Sequence, residues 1–413
     1  MRVRIIGLLC MLLGVFSSCS DDNFAPFTPS QGAAPSPTHE RLPSDEVRQV
    51  MLYVSAGYNS LSSYLAGNMT ALESGYLPEG TYYSADVLLV LDRKPLNPGD
   101  YSTPVSPVLF RLYADKEGNP VRDTLKVWPE DSPICRADTF SEALEFMFRR
   151  YPAKGYGVVF SSHALGWLPP NYKAPESTSS WIQGRSIGQD KTSTGGYELS
   201  LEDLAGAISH KLDYLLLDCC LTGCVEVAWQ LRGKADIVGF SPTEILAQGF
   251  NYETMTTHLL KPEPDPTAVC QDYFAMYDPD GDATITVIDT RKMDALADVC
   301  NTLVANHREA LATVNTQKVQ RYFRPSVTPN CTVMYDLEDI FVKAGITAEE
   351  HQALTDALES AILYKAATRK FLSITINTYS GLSMYLPAAG NELLDNYYAE
   401  EIDWNDAIEL IQY

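Results

Sequence analysis

The chain has 413 residues, 45% apolar and 20% charged, the balance of a folded globular protein rather than a disordered one. Lys and Arg number 31 against 53 Asp and Glu, a net charge of −22, so no surplus of cations exists to neutralise a phosphate backbone, which argues against nucleic acid. The 6 histidines are scattered with no His-x-x-x-His pair, which argues against a metallohydrolase.

Taken in order, the chain opens on a targeting pattern. Arg2 and Arg4 precede an almost wholly apolar stretch, residues 5–16. That stretch is short of the roughly 20 residues a membrane span needs. Ser17, Ser18 and Cys19 then set small residues before a cysteine, the pattern of a bacterial lipoprotein signal cleaved after residue 18 with lipid on Cys19. Ser20-Asp21-Asp22 resembles an export signal of surface-exposed lipoproteins in Gram-negative bacteria. The expected location is the outer membrane, facing the cell surface. Residues 19–44, with Pro26, Pro29, Pro35 and Pro37, read as a disordered tether. The 9 cysteines fall to seven once Cys10 is removed and Cys19 lipidated, an odd number without a disulfide framework. Cys219, Cys220 and Cys224 lack the second ligand pair that a zinc site uses.

Residues 45–49 read as a short helix, and 50–54 as a strand. Apolar runs at 85–92 and 108–113 predict two further strands, with a turn at 115–119. A helix is expected from Asp138 to Arg150, ended by Pro152. Val158-Val159-Phe160-Ser161-Ser162-His163 is apolar until it stops at a histidine. Residues 168–197, rich in Pro, Ser, Thr and Gly, read as a long loop of the functional or mobile kind. A helix over 200–211 then leads to Tyr214-Leu215-Leu216-Leu217-Asp218-Cys219-Cys220, apolar until it stops at an acid and two cysteines. A helix beginning near Leu221 is expected to turn its positive end toward Cys220. Strands follow at 285–288 and 371–376, with 295–369 mostly helical. Strand and helix alternate, so the fold class is α/β with a mainly parallel sheet. The expected division is a sheet-based core over 45–292 and a largely helical region with closing strands over 293–413.

Continuous apolar strands of this kind are buried on both faces of a parallel sheet, whose reactive groups gather at the carboxyl ends. A histidine and a cysteine at neighbouring strand ends supply a thiol with the base it needs near neutral pH. At these residues the chain resembles the clostripain family of cysteine peptidases, relatives in fold of caspases, legumains and gingipains. Asp218-Cys219-Cys220-Leu221-Thr222-Gly223-Cys224-Val225-Glu226-Val227-Ala228 resembles the family's nucleophile segment and selects Cys220 over Cys219. Phe160 to Trp167 resembles its His-Gly-x-Gly-Trp segment and makes His163 the base. Gly239-Phe240-Ser241-Pro242-Thr243-Glu244, with Gly249-Phe250-Asn251-Tyr252, resembles a pocket-lining element. Fainter likenesses are Tyr53-Val54-Ser55-Ala56 with Asn59, and residues 381–387. The resemblance spans roughly residues 50–413 in order.

It implies a caspase-like sheet flanked by helices, protein or peptide substrates, and an oxyanion held by the amides of Cys220 and Ala164. Alanine at 164 departs from the family's glycine but keeps the N–H. Asp218, Ser241 and Gln248 are the expected substrate-binding residues. Gln248 stands where relatives that cut after Arg or Lys often carry an acid, so a basic preference is not fixed. Asp218 has two readings, pocket acid or orienter of His163. Glu226 reads as structural. Arg185 and Lys191 are candidate self-processing sites. Asp278-Pro279-Asp280-Gly281-Asp282 with Asp289 approaches a calcium loop, but Ala283 and Asp289 stand where an EF-hand has Gly and Glu, and a solvated acidic turn is the plainer reading. The resemblance implies calcium for some members, so calcium is the one candidate ion. The expectation is a lipid-anchored cysteine endopeptidase, the alternative a catalytically silent surface binding protein on the same fold.

Overall fold

A strand apolar at every position needs cover on both faces. In β1 (Gln49–Ala56) Val50, Leu52 and Val54 enter one hydrophobic cluster, while Met51 and Tyr53 enter another. The computed structural model describes residues 47–80, 85–170, 172, 186–192, 195–278, 281–324 and 333–412. All belong to one unit, Arg41–Tyr413. Cys19 and Arg185 lie outside the described residues, as do the signal, the tether, Pro279 and Asp280.

After β1 come α1 (Ser62–Ser74), β2 (Asp86–Arg93), β3 (Val108–Ala114), β4 (Pro120–Val127), α2 (Ala137–Arg150) and β5 (Gly155–Ser161). Next are β6 (Ile187–Thr192), β7 (Gly195–Leu199), α3 (Leu201–Ala207), β8 (Leu212–Asp218), α4 (Val225–Gln230) and β9 (Ala235–Phe240). Then follow α5 (Tyr252–Leu259), α6 (Pro266–Tyr277), β10 (Thr284–Asp289), α7 (Met293–Thr313), β11 (Met334–Asp336), α8 (Leu337–Ala344) and α9 (Ala348–Ala361). The chain closes with β12 (Ile362–Ala367), β13 (Lys370–Phe371), β14 (Ile374–Thr375), β15 (Ser383–Tyr385), α10 (Glu392–Glu401) and α11 (Asp403–Ile408).

Among the described residues nine strands form one sheet in the order β12-β10-β9-β8-β5-β1-β2-β3-β4. The inner five are mutually parallel, and each edge carries two antiparallel strands. Helices α1, α5 and α6 cover one face, through residues such as Met69, Met255 and Tyr273. Helices α2, α3, α4 and α7 to α11 cover the other, through residues such as Phe140, Leu204, Val227, Leu303 and Trp404. Each such side chain withdrawn from water contributes about 1.5–3 kcal/mol. α2 illustrates the local logic: Phe140, Leu144 and Met147 line one face, Asp138 sits in its first turn, and Arg149 and Arg150 in its last. α3 is started by a capping box between Ser200 and Asp203.

The structure corrects several expected elements. The chain is extended from Gln49, where a helix end was expected. β6 and β7 pair antiparallel, and most of their residues fall inside the loop expected over 168–197. α3 stops at Ala207. β12 is a strand within the stretch expected to be helical, because its Ile362, Tyr364 and Ala366 pair with β10. The expected strand over 371–376 is instead a tight reversal between β13 and β14, with Leu372 at φ +47°.

Candidate active site

The connection leaving β1 returns through β2 on one side, and the chain then crosses to β5 on the other. Such a reversal opens a crevice at the carboxyl ends of the strands. Three segments meet there: residues 57–61 after β1, 162–167 after β5, and 219–224 after β8. The register fixes their heights. Ser161 pairs with Asp218, so His163 and Cys220 each lie two residues beyond a matched pair on adjacent strands. Both are half-buried, and both line one cavity of about 270 Å³. The Cys220 thiol donates to the carbonyl of Ile245 at 3.7 Å.

Cys220 is followed by a strained turn. Leu221 is fully buried at φ +59°, a left-handed backbone that costs a non-glycine residue about 1–2 kcal/mol. The strain is held by two backbone bonds, Leu221 N–H to Thr243 O and Gly223 N–H to Ser241 O, both 2.8 Å. α4 begins only at Val225 and runs six residues. The helix start expected near Leu221 therefore lies further along, at Val225.

A second brace comes from the histidine side. Gly166, at φ +66°, lies so near that turn that a Cβ on it would stand 2.6 Å from the Leu221 carbonyl oxygen. Trp167 is fully buried edge-on to Tyr385 and Tyr398, with centroids 5.1 and 5.0 Å away. Below, the buried Asn59 amide donates to Ala56 O at 2.8 Å, Gln189 O at 2.7 Å and Ser162 Oγ at 3.3 Å. Ser162 Oγ in turn donates to Ala56 O and accepts from Gln189 N–H. The neighbour of Asn59 and the neighbour of Ser162 then meet: Ser60 Oγ lies 2.8 Å from His163 Nε2.

Asp218 lines the cavity and is held from its flanks. Its Oδ2 accepts from Ser161 Oγ at 2.8 Å and from the Tyr252 hydroxyl at 2.5 Å. Burial raises its pKa, while Tyr252, Ser161 and the Phe250 amide pull it back. Gly249, at φ +69°, closes the turn above it, with room for no Cβ against the Asp218 carboxylate. Leu61, Leu65, Ile245, Leu246 and Ala247 give the cavity apolar walls. Glu244 also lines it, clamped by Arg324 through bonds of 2.6 and 2.7 Å. Arg324 is held above its usual pKa first by Glu244, and the charge of Cys220 adds in the same direction.

Other expected site residues lie elsewhere. Ser241 is buried, its hydroxyl shared with Thr243 and Thr284, and it is not among the residues lining this cavity. Gln248 is exposed and also outside the cavity lining. Ala164 lines the cavity, and its bridge to Ile187 is carried by Leu165 N–H donating to Ser186 O at 3.0 Å. Lys191 sits in β6 with its amide on Tyr58 O and its ammonium over the Tyr101 ring. Asp289 is engaged by Arg291 and Asp282 by the Leu372 amide. Among the described residues no cluster of three or more His, Cys, Asp and Glu is arranged to hold a metal. Cys219 and Cys224 are buried, which pushes their thiols well up. Ser60 and the Glu244–Arg324 pair had no signal in the sequence, since each depends on segments far apart in the chain.

Sheet order and the juxtaposed strand ends together define a class, cysteine peptidases of caspase-like fold. The profile of the clostripain family matches residues 53–410, and the chain belongs to that family of cysteine endopeptidases. A solved inactive zymogen of a C11 protease from Parabacteroides distasonis is 28% identical with a TM-score of 0.73, covering 89% of this chain and 99% of that one. A secreted C11 cysteine protease from Bacteroides thetaiotaomicron, solved with an irreversible peptide inhibitor, is 24% identical with a TM-score of 0.72, covering 87% and 98%. At that identity the second likeness speaks for the fold alone. No curated protein matches the chain.

Proposed function

We propose that this chain hydrolyses peptide bonds with Cys220 as nucleophile and His163 as proton carrier. The observation that carries the reading is the shared register of the two strand ends, which puts both side chains on one cavity. The Cys220 sulfur attacks the scissile carbonyl carbon as its proton passes to His163. The resulting oxyanion is held by the amides of Cys220 and Ala164. Collapse breaks the C–N bond, and the imidazolium gives its proton to the departing amine. Water, deprotonated by the same imidazole, then splits the thioester and frees Cys220.

Specificity follows from the walls. Glu244 is neutralised by Arg324, so Asp218 is the acid that a basic substrate side chain would meet, among otherwise apolar surroundings. A preference for Lys or Arg before the cut is the reading this supports. Lipid attachment at Cys19 would hold the enzyme on the outer membrane, facing outward. Self-processing at Lys191 would first require its hairpin pairing with Gly196 to open.

The test uses wild type and Cys220→Ala with fluorogenic peptides varied at the residue before the cut, with and without calcium. Cleavage by the wild type alone is expected. Hydrolysis retained by Cys220→Ala would end the assignment. Silence from both, before and after limited proteolysis, would favour a binding protein on this fold.

A further inference from the structure

We infer that Ser60 is the positioning residue of His163, accepting a hydrogen bond from Nε2–H so that Nδ1 is the nitrogen that exchanges the thiol proton. The inference rests on the proposed role of His163. Its geometric basis is the 2.8 Å contact between Ser60 Oγ and His163 Nε2, at the crevice where the strand order reverses.

Two features make the contact a built one. The residues on either side of it are locked together, since Asn59 and Ser162 are buried and share one hydrogen-bond network with Ala56 and Gln189. The spacing between the Ser60 and His163 backbones is therefore set by a rigid brace rather than by the exposed serine itself. The other group expected to orient the imidazole, Asp218, is committed to Ser161 and Tyr252.

The chemistry assigns the tautomer. An imidazole that takes a proton at one nitrogen must carry its own proton on the other. With Nε2 against Ser60, the neutral ring donates there and receives at Nδ1. In the imidazolium the Nε2–H···Oγ bond becomes charge-assisted and stronger, so Ser60 favours the protonated ring. The titratable groups sharing the cavity are Cys219, Cys220, Asp218 and Glu244, the last paired with Arg324.

The experiment compares wild type, Ser60→Ala and Ser60→Thr by kcat, KM and the pH profile of kcat/KM. It adds long-range ¹H–¹⁵N spectra of histidine-labelled protein, with His163 assigned by its loss in His163→Gln. Ser60→Ala is expected to lower kcat by about 10- to 100-fold, the scale of a misplaced catalytic group. KM should stay within about twofold, and the acid limb should move to lower pH as the imidazolium loses its acceptor. Ser60→Thr should restore most of the rate, and the His163 Nε2–H tautomer expected in wild type should weaken in Ser60→Ala. An unchanged kcat and pH profile in Ser60→Ala would overturn the inference. So would a rise in KM alone, which would make Ser60 a wall of the pocket. Should the peptidase assignment itself fail, the spectra still decide: a His163 tautomer indifferent to Ser60 rejects the positioning role.

Discussion

Leu221 is a buried, branched residue in a conformation that glycine adopts freely, and it follows Cys220 directly. Strain of this kind persists only where the surroundings over-determine it. Here the surroundings are Thr243, Ser241 and the flank of Gly166. Gly166→Ala puts a methyl against the Leu221 carbonyl and asks alanine for φ +66°. The expected result is a stability loss of about 1–3 kcal/mol by urea unfolding. The iodoacetamide labelling rate of Cys220 should fall as well, because the turn that holds it must shift. An unchanged labelling rate would mean that the two loops are not mechanically coupled. At this scale the sequence singled out Cys220 and His163, since each follows an apolar run and each sits in a motif, and the structure sets both on one cavity. Ser60 was not legible, because a serine in a polar turn has no pattern of its own. Ser241 and Gln248 were named from a motif, and the geometry turns Ser241 into the core and Gln248 to solvent.

Helix α4 matters through a side chain rather than through its dipole. Glu226 is buried on it, and its Oε1 accepts from Tyr385 N–H at 2.8 Å and the Tyr398 hydroxyl at 2.9 Å, tying α4 to β15 and α10. Burial raises its pKa from 4.5 to about 7, against the pull of the Tyr385 amide and Tyr398. The folded state therefore binds a proton more tightly than the unfolded chain. This contribution to stability is full below about pH 4.5 and is lost as pH rises through about 7. The size is on the order of 3 kcal/mol. Glu226→Gln keeps an acceptor for Tyr385 and Tyr398 and removes the titration. Its urea midpoint is expected to fall less than that of wild type between pH 5 and 8, and parallel curves would show that another group governs this window. Elements buried on both faces were legible, as in β1, β2, β5 and β8, because each position of the run is apolar. Edge strands were not: β4 mixes exposed and half-buried residues, and β12 alternates without a clear apolar face.

Across the molecule, the carboxyl-terminal residues hold the turn after Cys220 in place. Ser383 N–H donates to Gly223 O at 2.9 Å, Leu382 and Tyr385 are fully buried, and Trp229 of α4 packs on Trp404 at 5.3 Å. β12 also completes the sheet beside β10. A chain ended at residue 292 would expose these surfaces together. It is expected to lose the cooperative urea transition and to bind a hydrophobic dye, whereas a sharp transition in that fragment would reveal an independent core. The sequence by itself determined the α/β class and the two apolar strands that end just before His163 and Cys220, because burial on both faces is a local property of the chain. Only the tertiary structure decided what surrounds them. The Ser60 contact, the Glu244–Arg324 clamp, the commitment of Asp218 to Tyr252 and the brace from Ser383 to Gly223 all join residues distant in sequence, and their partners are fixed by strand order and register, which no local pattern records.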